Sequence, residues 1–391
     1  MTFEELREKD SQYVVQSYGR NPIAIDHGEG AVLYGADGKE YIDFASGIGV
    51  LSVGTANPKW AAAVAAQAGK LAHVSNLYYS EPYIKLAEKL CTRSGMAAAF
   101  FGNSGAEGNE GVIKLARKYS WEKYGEGRGT VITLNRSFHG RTITTLAATG
   151  QDVFHQYFFP FTEGFRRADP TIDSVRQAAG HDVCAVLVEL VQGEGGVLPL
   201  DRGFVRELAQ LCADRDWLLL ADEVQTGVGR TGSLFCFQQY GVLPDAVSFA
   251  KGIAGGLPMG GFLVNERCRH VFGPGDHAST FGGNPIAAAA ACAVLDILDD
   301  EAIAQVAEKG RYLRDGVEAL GLPCLGGTRG MGLMIGVEVA DGFSNKELCA
   351  RLNKAGLLSL TAGAGLRFLP PLTITKDEMD KGLAILKAAL S

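Results

Sequence analysis

The chain has 391 residues, more than one compact core needs, and its 47% apolar and 21% charged residues are those of a folded globular protein. A formal charge of −7 with no basic run argues against a nucleic-acid partner. The longest apolar stretch, Pro285 to Leu298, is too short to span a bilayer, and the acidic start MTFEELREKD carries no targeting signal, so a cytoplasmic protein without a membrane partner is expected.

In chain order, AVLYGADGKEYIDF within the first 45 residues reads as strand–turn–strand. Phe100 to Gly102 is an apolar lead-in to small residues and then a helix running to about Lys123. Gly129–Leu134 and Val183–Val191 read as buried strands. Gly203–Asp214 is a helix with Phe204, Leu208 and Leu211 along one face. Strands follow at Trp217–Ala221, Ala246–Ala250 and Gly261–Val264. This alternation predicts an α/β domain with a mostly parallel sheet covered on both faces. Beyond Pro285 come helices at 286–300 and 301–320, a strand at Gly332–Val339, a helix near 344–355, a strand at Gly365–Leu369 and a last helix from Lys376. That texture predicts a smaller α+β unit of residues 1–45 and 285–391, beside a large unit of 46–284. The eight cysteines show no C-x-x-C spacing and sit among apolar neighbours, which reads as reduced, buried thiols without zinc.

DEVQTGVGRTG, from Asp222, contains a complete G-x-G-x-x-G at Gly227, Gly229 and Gly232. A dinucleotide fingerprint needs its first glycine at a strand end and its last inside a helix. Here Asp222 and Glu223 end the strand, the glycines come later, and SLFCFQQ after them has no clear amphipathic pattern. A carboxylate at that point would also repel a pyrophosphate. The nicotinamide reading therefore fails on context. Lys251 follows the buried run AVSFA and enters a glycine-rich turn, where apolar surroundings lower an amine's pKa and make it a nucleophile. A lysine at one strand end and an aspartate at another suit pyridoxal phosphate: the amine forms the Schiff base and the acid pairs with the pyridinium nitrogen. The small residues at the helix start after Phe100-Phe101-Gly102 read either as an ordinary Ser or Asn N-cap or as a site where backbone N–H groups face a phosphate.

With these positions in place, the chain resembles the class III pyridoxal-phosphate-dependent aminotransferases of fold type I. The matching stretches are FFGNSGAEGNEGVIKLARKY, SFHGRT, VQGEGGV, ADEVQTGVGRTG, FAKGIAGGLPMGG, GDHASTFGGNP and LRFLPPL, in the family's order along nearly the whole chain. The resemblance implies a large domain with a mostly parallel seven-stranded sheet plus a smaller α+β domain. It implies that Lys251 binds the cofactor and carries the proton, and that Asp222 pairs with the ring nitrogen. Ser104, Gly105, Ala106, Glu223 and Val224 would join the cofactor site, with Gln225 against the ring's hydroxyl side and Phe138 stacked on the ring. Arg141 would bind the substrate α-carboxylate, and Glu194 and Arg367 would form a switch pair. When a dicarboxylate arrives, its carboxylate would take Glu194's place on Arg367. Thr280 would reach the phosphate of a neighbouring subunit and Ser279 would help bind substrate there, which implies a homodimer with shared active sites.

GDHASTFGGNP and GLLSLTAGAGLRFLPPL are most similar to family members acting on N2-acetylornithine. The expected reaction is transfer of its δ-amino group to 2-oxoglutarate, in arginine biosynthesis. Succinylornithine, succinyl-diaminopimelate, acetyl-lysine, ornithine and 4-aminobutyrate are alternative donors, and a non-catalytic binder of pyridoxal phosphate would share most of the motifs. Three departures stand out. Gly108 and Gly111 occupy positions where the family usually has alanine, which would weaken an exposed helix by about 1 kcal/mol each. Leu190 replaces a frequent proline, and Thr55-Ala56-Asn57-Pro58 lacks the usual histidines.

Overall fold

The fold, taken from a computed structural model, covers all 391 residues. Seven segments form the central sheet: β1 (Ala98–Gly102), β2 (Thr130–Leu134), β3 (Phe165–Ala168), β4 (Val183–Val188), β5 (Leu218–Asp222), β6 (Ala246–Phe249) and β7 (Gly260–Val264). They lie in the order β1-β7-β6-β5-β4-β2-β3. The pairs from β6 through β3 are parallel, whereas β7 is antiparallel to β6 and to β1. Strands β4, β5 and β6 are buried at every residue, as apolar runs covered on both faces must be. Register places Asp222, the last residue of β5, opposite Ser248 of β6. Both chemistry-bearing strands therefore end on one edge of the sheet, where ligands of open parallel sheets bind.

The Val183–Val191 run stops being a strand of this sheet at Val188. Glu189 turns its carboxylate back onto the N–H groups of Phe138 and Gly193. Val191–Gln192 pairs instead with Leu198–Pro199 in a separate ribbon. Leu190 packs in the core and its carbonyl accepts from Leu200 N–H and Tyr240 O–H, so the residue that replaces proline sits where the chain leaves the sheet.

Helix α1 (Gly105–Tyr124) starts directly after β1, with Ser104 Oγ accepting from Glu107 N–H. Gly108 and Gly111 are not exposed; both face the sheet. A methyl group at Gly108 would lie 2.6 Å from Gly261 O, and one at Gly111 would lie 2.3 Å from Phe262 Cε1. These glycines let α1 approach β7 closely, so the expected propensity loss is offset by packing. Gly108→Ala should accordingly lower stability: helix propensity gains about 1 kcal/mol, but overpacking against backbone costs about 1–3 kcal/mol. A denaturation midpoint at or above wild type would contradict this.

The opening hairpin, Val32–Gly35 with Glu40–Asp43, joins the C-terminal part through parallel pairing of Leu357–Leu358 with Ile42–Asp43. A second sheet of Leu325–Met331, Met334–Val339, Leu360–Ala362 and Gly365–Phe368 carries Arg367. The strand expected from Gly332 begins at Met334, because Gly332 turns with φ +53°. The alanine-rich stretch forms the helix Pro285–Ile297, and no helix in the molecule is long and apolar enough to cross a membrane. All eight cysteines are free.

Candidate active site

A cavity of about 410 Å³ opens at the carboxyl ends of β5 and β6. Lys251, Asp222, Val224, Gln225, Phe138 and Arg141 line it, together with the α1 start at Ser104, Gly105 and Ala106. The sheet edge brings these residues together although they span Ser104 to Lys251 in sequence.

Asp222 is buried and firmly held. Its Oδ2 accepts from Asn109 Nδ2 at 2.7 Å and lies 2.8 Å from His139 Nδ1, and its Oδ1 accepts from Val224 N–H at 3.1 Å. Asn109 spends its other amide proton on His139 O and accepts from Ser248 O–H at 2.6 Å. Both ends of the amide are thus assigned, and the carboxylate cannot rotate freely. His139 Nε2 is buried without a partner.

Lys251 follows β6 and opens a short 3₁₀ turn, with φ +46° in the left-handed region. A non-glycine residue there is strained by about 1–3 kcal/mol, as happens at functional positions held by their surroundings. Burial pushes its amine below the usual lysine range, and nearby Arg367 pushes the same way against Glu194, Asp222 and Glu189. A desolvated amine of this kind is a nucleophile and a base.

These features fit pyridoxal phosphate. The N-terminus of α1 aims backbone N–H groups at the cavity, and a methyl at Gly105 would fall 2.5 Å from Val224 Cγ1, so only glycine allows that approach. Phe138 supplies an aromatic face, Asp222 a fixed negative charge, and Lys251 an amine in the same cavity.

Glu189, a buried cavity-lining acid, was not anticipated. Burial pushes its carboxyl up to about 7 from an ordinary 4.5; His139 and the N–H groups of Phe138 and Gly193 pull it down, while Asp222 adds to the rise. Between pH 4.5 and about 7 the folded chain holds a proton here that the unfolded chain has released. Stability therefore falls as pH rises through that window, by at most about 3 kcal/mol. Glu189→Gln removes the titrating group, though its NH₂ would face the Phe138 or Gly193 N–H. Its thermal stability should therefore gain on wild type as pH rises from 5 to 8; a difference independent of pH would contradict the assignment.

Some expected residues lie elsewhere. Glu223 does not line the cavity. Its carboxylate accepts from Cys236 and Phe237 N–H and from Thr226 O–H, on the face of the chain opposite Asp222. Glu194 and Arg367 stand behind Gln225: Arg367 Nη1 donates to Glu194 Oε1 at 2.8 Å and to Gln225 Oε1 at 3.2 Å. Thr280 is exposed outside the cavity, and Ser279 Oγ accepts from Asn103 Nδ2 at 3.2 Å. The glycines after Asp222 touch no part of the cavity. Gly229 and Gly232 have φ of +86° and +97° and pack against Ile303 and Ala307 of the helix Asp300–Ala319, while Gly227 closes on Glu223 O.

The family pattern "Aminotransferase class-III" matches residues 13–390, nearly the whole chain. The chain belongs to the class III aminotransferases. It is 47% identical to "Acetylornithine aminotransferase" of Haemophilus ducreyi over 100% of both chains, and 43% identical to the protein of that name in Caldanaerobacter subterraneus over 98% of both. Among solved structures, the ornithine aminotransferase of Toxoplasma gondii superposes with a TM-score of 0.95 at 32% identity, over 100% of this chain and 95% of that one. The N-acetylornithine aminotransferase of Stenotrophomonas maltophilia gives 0.84 at 36% identity, over 98% of this chain and 97% of that one. Enzymes named for different donors thus share this class III backbone, so overall shape does not select the donor.

Proposed function

We propose that this class III aminotransferase transfers the δ-amino group of N2-acetyl-L-ornithine to 2-oxoglutarate, giving N-acetylglutamate 5-semialdehyde and glutamate. The donor follows the relatives of 42–47% identity, which carry the name acetylornithine aminotransferase. The observation that carries the reading is one cavity holding Lys251, Asp222 and the α1 N-terminus, with the Glu194–Arg367 pair behind it.

Bound pyridoxal phosphate would supply an electrophilic aldehyde and an electron-withdrawing ring. Backbone N–H groups of Gly105 and Ala106 would hold the phosphate, with Ser104 at their side. Asp222, fixed by Asn109 and His139, would pair with the ring nitrogen and keep it protonated. Phe138 would stack on the ring, and Val224 and Gln225, which line the same cavity, would join in holding it. Lys251 would hold the cofactor through its amine and would serve as the proton carrier beside it.

Arg141 takes the donor's α-carboxylate. Arg367 is neutralised by Glu194 while the donor is bound and released when 2-oxoglutarate offers a carboxylate, so one pocket serves both substrates. Ser279 and Thr280 complete the site of a partner subunit in a cytoplasmic homodimer, with residues 46–284 as the large domain and 1–45 and 285–391 as the small one.

Arg367→Ala should raise KM for 2-oxoglutarate at least about tenfold, the worth of a charge-assisted hydrogen bond. It should change KM for N2-acetylornithine far less. Equal effects on both substrates would refute the switch.

A second reading takes ornithine as donor, the amine in the name of the Toxoplasma gondii enzyme that shares this backbone. The ratio of kcat/KM for the two amines decides between them.

A further inference from the structure

The two site arginines are held by different means. Arg367 is neutralised by a carboxylate. Arg141 is held by rings: its guanidinium carbon lies 4.3 Å from the centre of the Phe154 ring and 5.4 Å from that of Phe138. The two rings meet edge to face, 5.6 Å apart at 73°. Phe138 lines the cavity, so the Phe154 ring links the cofactor-facing aromatic to the carboxylate-binding arginine.

The segment that carries Phe154 is anchored on both sides. Gly150 N–H donates to Ser137 Oγ and Gln151 Nε2 donates to Ser137 O, both on the strand-end loop that bears Phe138. Asp152 pairs with Arg167 at 2.6 Å, and His155 Nε2 lies 2.8 Å from Leu146 O. Phe154 is half-buried between these ties, whereas the following Tyr157 and Phe159 are exposed.

We propose that Phe154 is a positioning residue that holds Arg141 in its carboxylate-binding direction by a cation–π contact. An arginine oriented by an acid must first lose that partner to bind a substrate carboxylate. An arginine oriented by a ring keeps its full charge and all its N–H donors free, because the ring engages the guanidinium face and leaves the edge open. The donor's carboxylate therefore meets a preorganised site, while the dicarboxylate alone must displace Glu194. The inference rests on Arg141 as the carboxylate ligand.

The test uses the holoenzyme and two unreactive probes: N-acetyl-L-norvaline, which is the donor without its δ-amine, and N-butylacetamide, which also lacks the carboxylate. Binding is measured by calorimetry. Phe154→Leu, which keeps apolar bulk and removes the π face, should weaken N-acetyl-L-norvaline about fivefold and leave N-butylacetamide unchanged; Phe154→Tyr should restore the carboxylate affinity. In turnover, Phe154→Leu should raise KM for N2-acetylornithine with little change in kcat. Phe154→Met makes the same test should the leucine variant fold poorly. Unchanged N-acetyl-L-norvaline binding in Phe154→Leu or Phe154→Met would overturn the clamp, as would equal weakening of both probes. Arg141→Ala separates the two claims: if it does not weaken N-acetyl-L-norvaline, the assignment of Arg141 itself fails, whereas weakening there with none at Phe154 removes only the clamp.

Discussion

Lys251→Ala is expected to lower the transamination rate on the order of 10⁴-fold, the upper range for loss of a positioned acid–base group that is also the nucleophile. The fold should survive. The amine is desolvated and opposed by Arg367, so its removal takes away a group whose burial is unfavourable. The left-handed backbone at φ +46° is strained for lysine and alanine alike, and the exchange adds no new strain. Borohydride reduction of the wild-type holoenzyme should fix the cofactor mass on the peptide containing Lys251, and the variant should carry none. A folded variant retaining more than about one per cent of the rate would place the essential amine elsewhere.

Asp222→Asn should cost on the order of 10³ in rate, the scale on which loss of one preorganised electrostatic contact is felt. The carboxylate receives hydrogen bonds from Asn109 and Val224 and faces His139 Nδ1. An amide oxygen can replace only one of the two acceptor oxygens, so the NH₂ group would face a donor. Charge and hydrogen-bond complementarity are therefore lost together, and a thermal destabilisation of about 1–3 kcal/mol should accompany the rate loss. Asp222→Ala with a cofactor methylated on its ring nitrogen tests the charge separately. That fixed cation no longer needs Asp222 and should recover part of the rate. No recovery would mean that Asp222 acts through the fold alone.

The residues at strand ends were legible in the sequence because their context is local. An apolar run followed by Asp222, or by Lys251 and glycines, says where a strand stops and what it presents. The same context separated the G-x-G-x-x-G from a dinucleotide site; those glycines instead serve a loop docked on the helix Asp300–Ala319. What the sequence hid were partnerships across long separations. Asn109 reaches Asp222 across 113 positions, and Ser248 completes the set only because β5 and β6 are in register at Asp222 and Ser248. Periodicity does mark Asn109, one helical turn after Gly105, but an asparagine there reads as an ordinary polar residue.

Glu189 was hidden inside an apolar run, and that run was read as one strand through Val191. The acid ends the strand by bonding Phe138 and Gly193 N–H. Whether Gly108 and Gly111 were exposed was hidden for a similar reason: helix propensity is local, whereas the close approach of Gly261 and Phe262 is tertiary. The aromatic hold on Arg141 by Phe154 is also tertiary, since nothing near SFHGRT marks a ring thirteen residues downstream as its partner.

The proposed reaction is tested by following nitrogen. N2-acetyl-L-ornithine labelled with ¹⁵N at the δ-amine is incubated with 2-oxoglutarate and the holoenzyme, in competition with unlabelled ornithine and 4-aminobutyrate. The label should appear in glutamate, with kcat/KM for N2-acetylornithine well above those of the competing amines. Glutamate that stays unlabelled, because another amine is the preferred donor, would contradict the assignment.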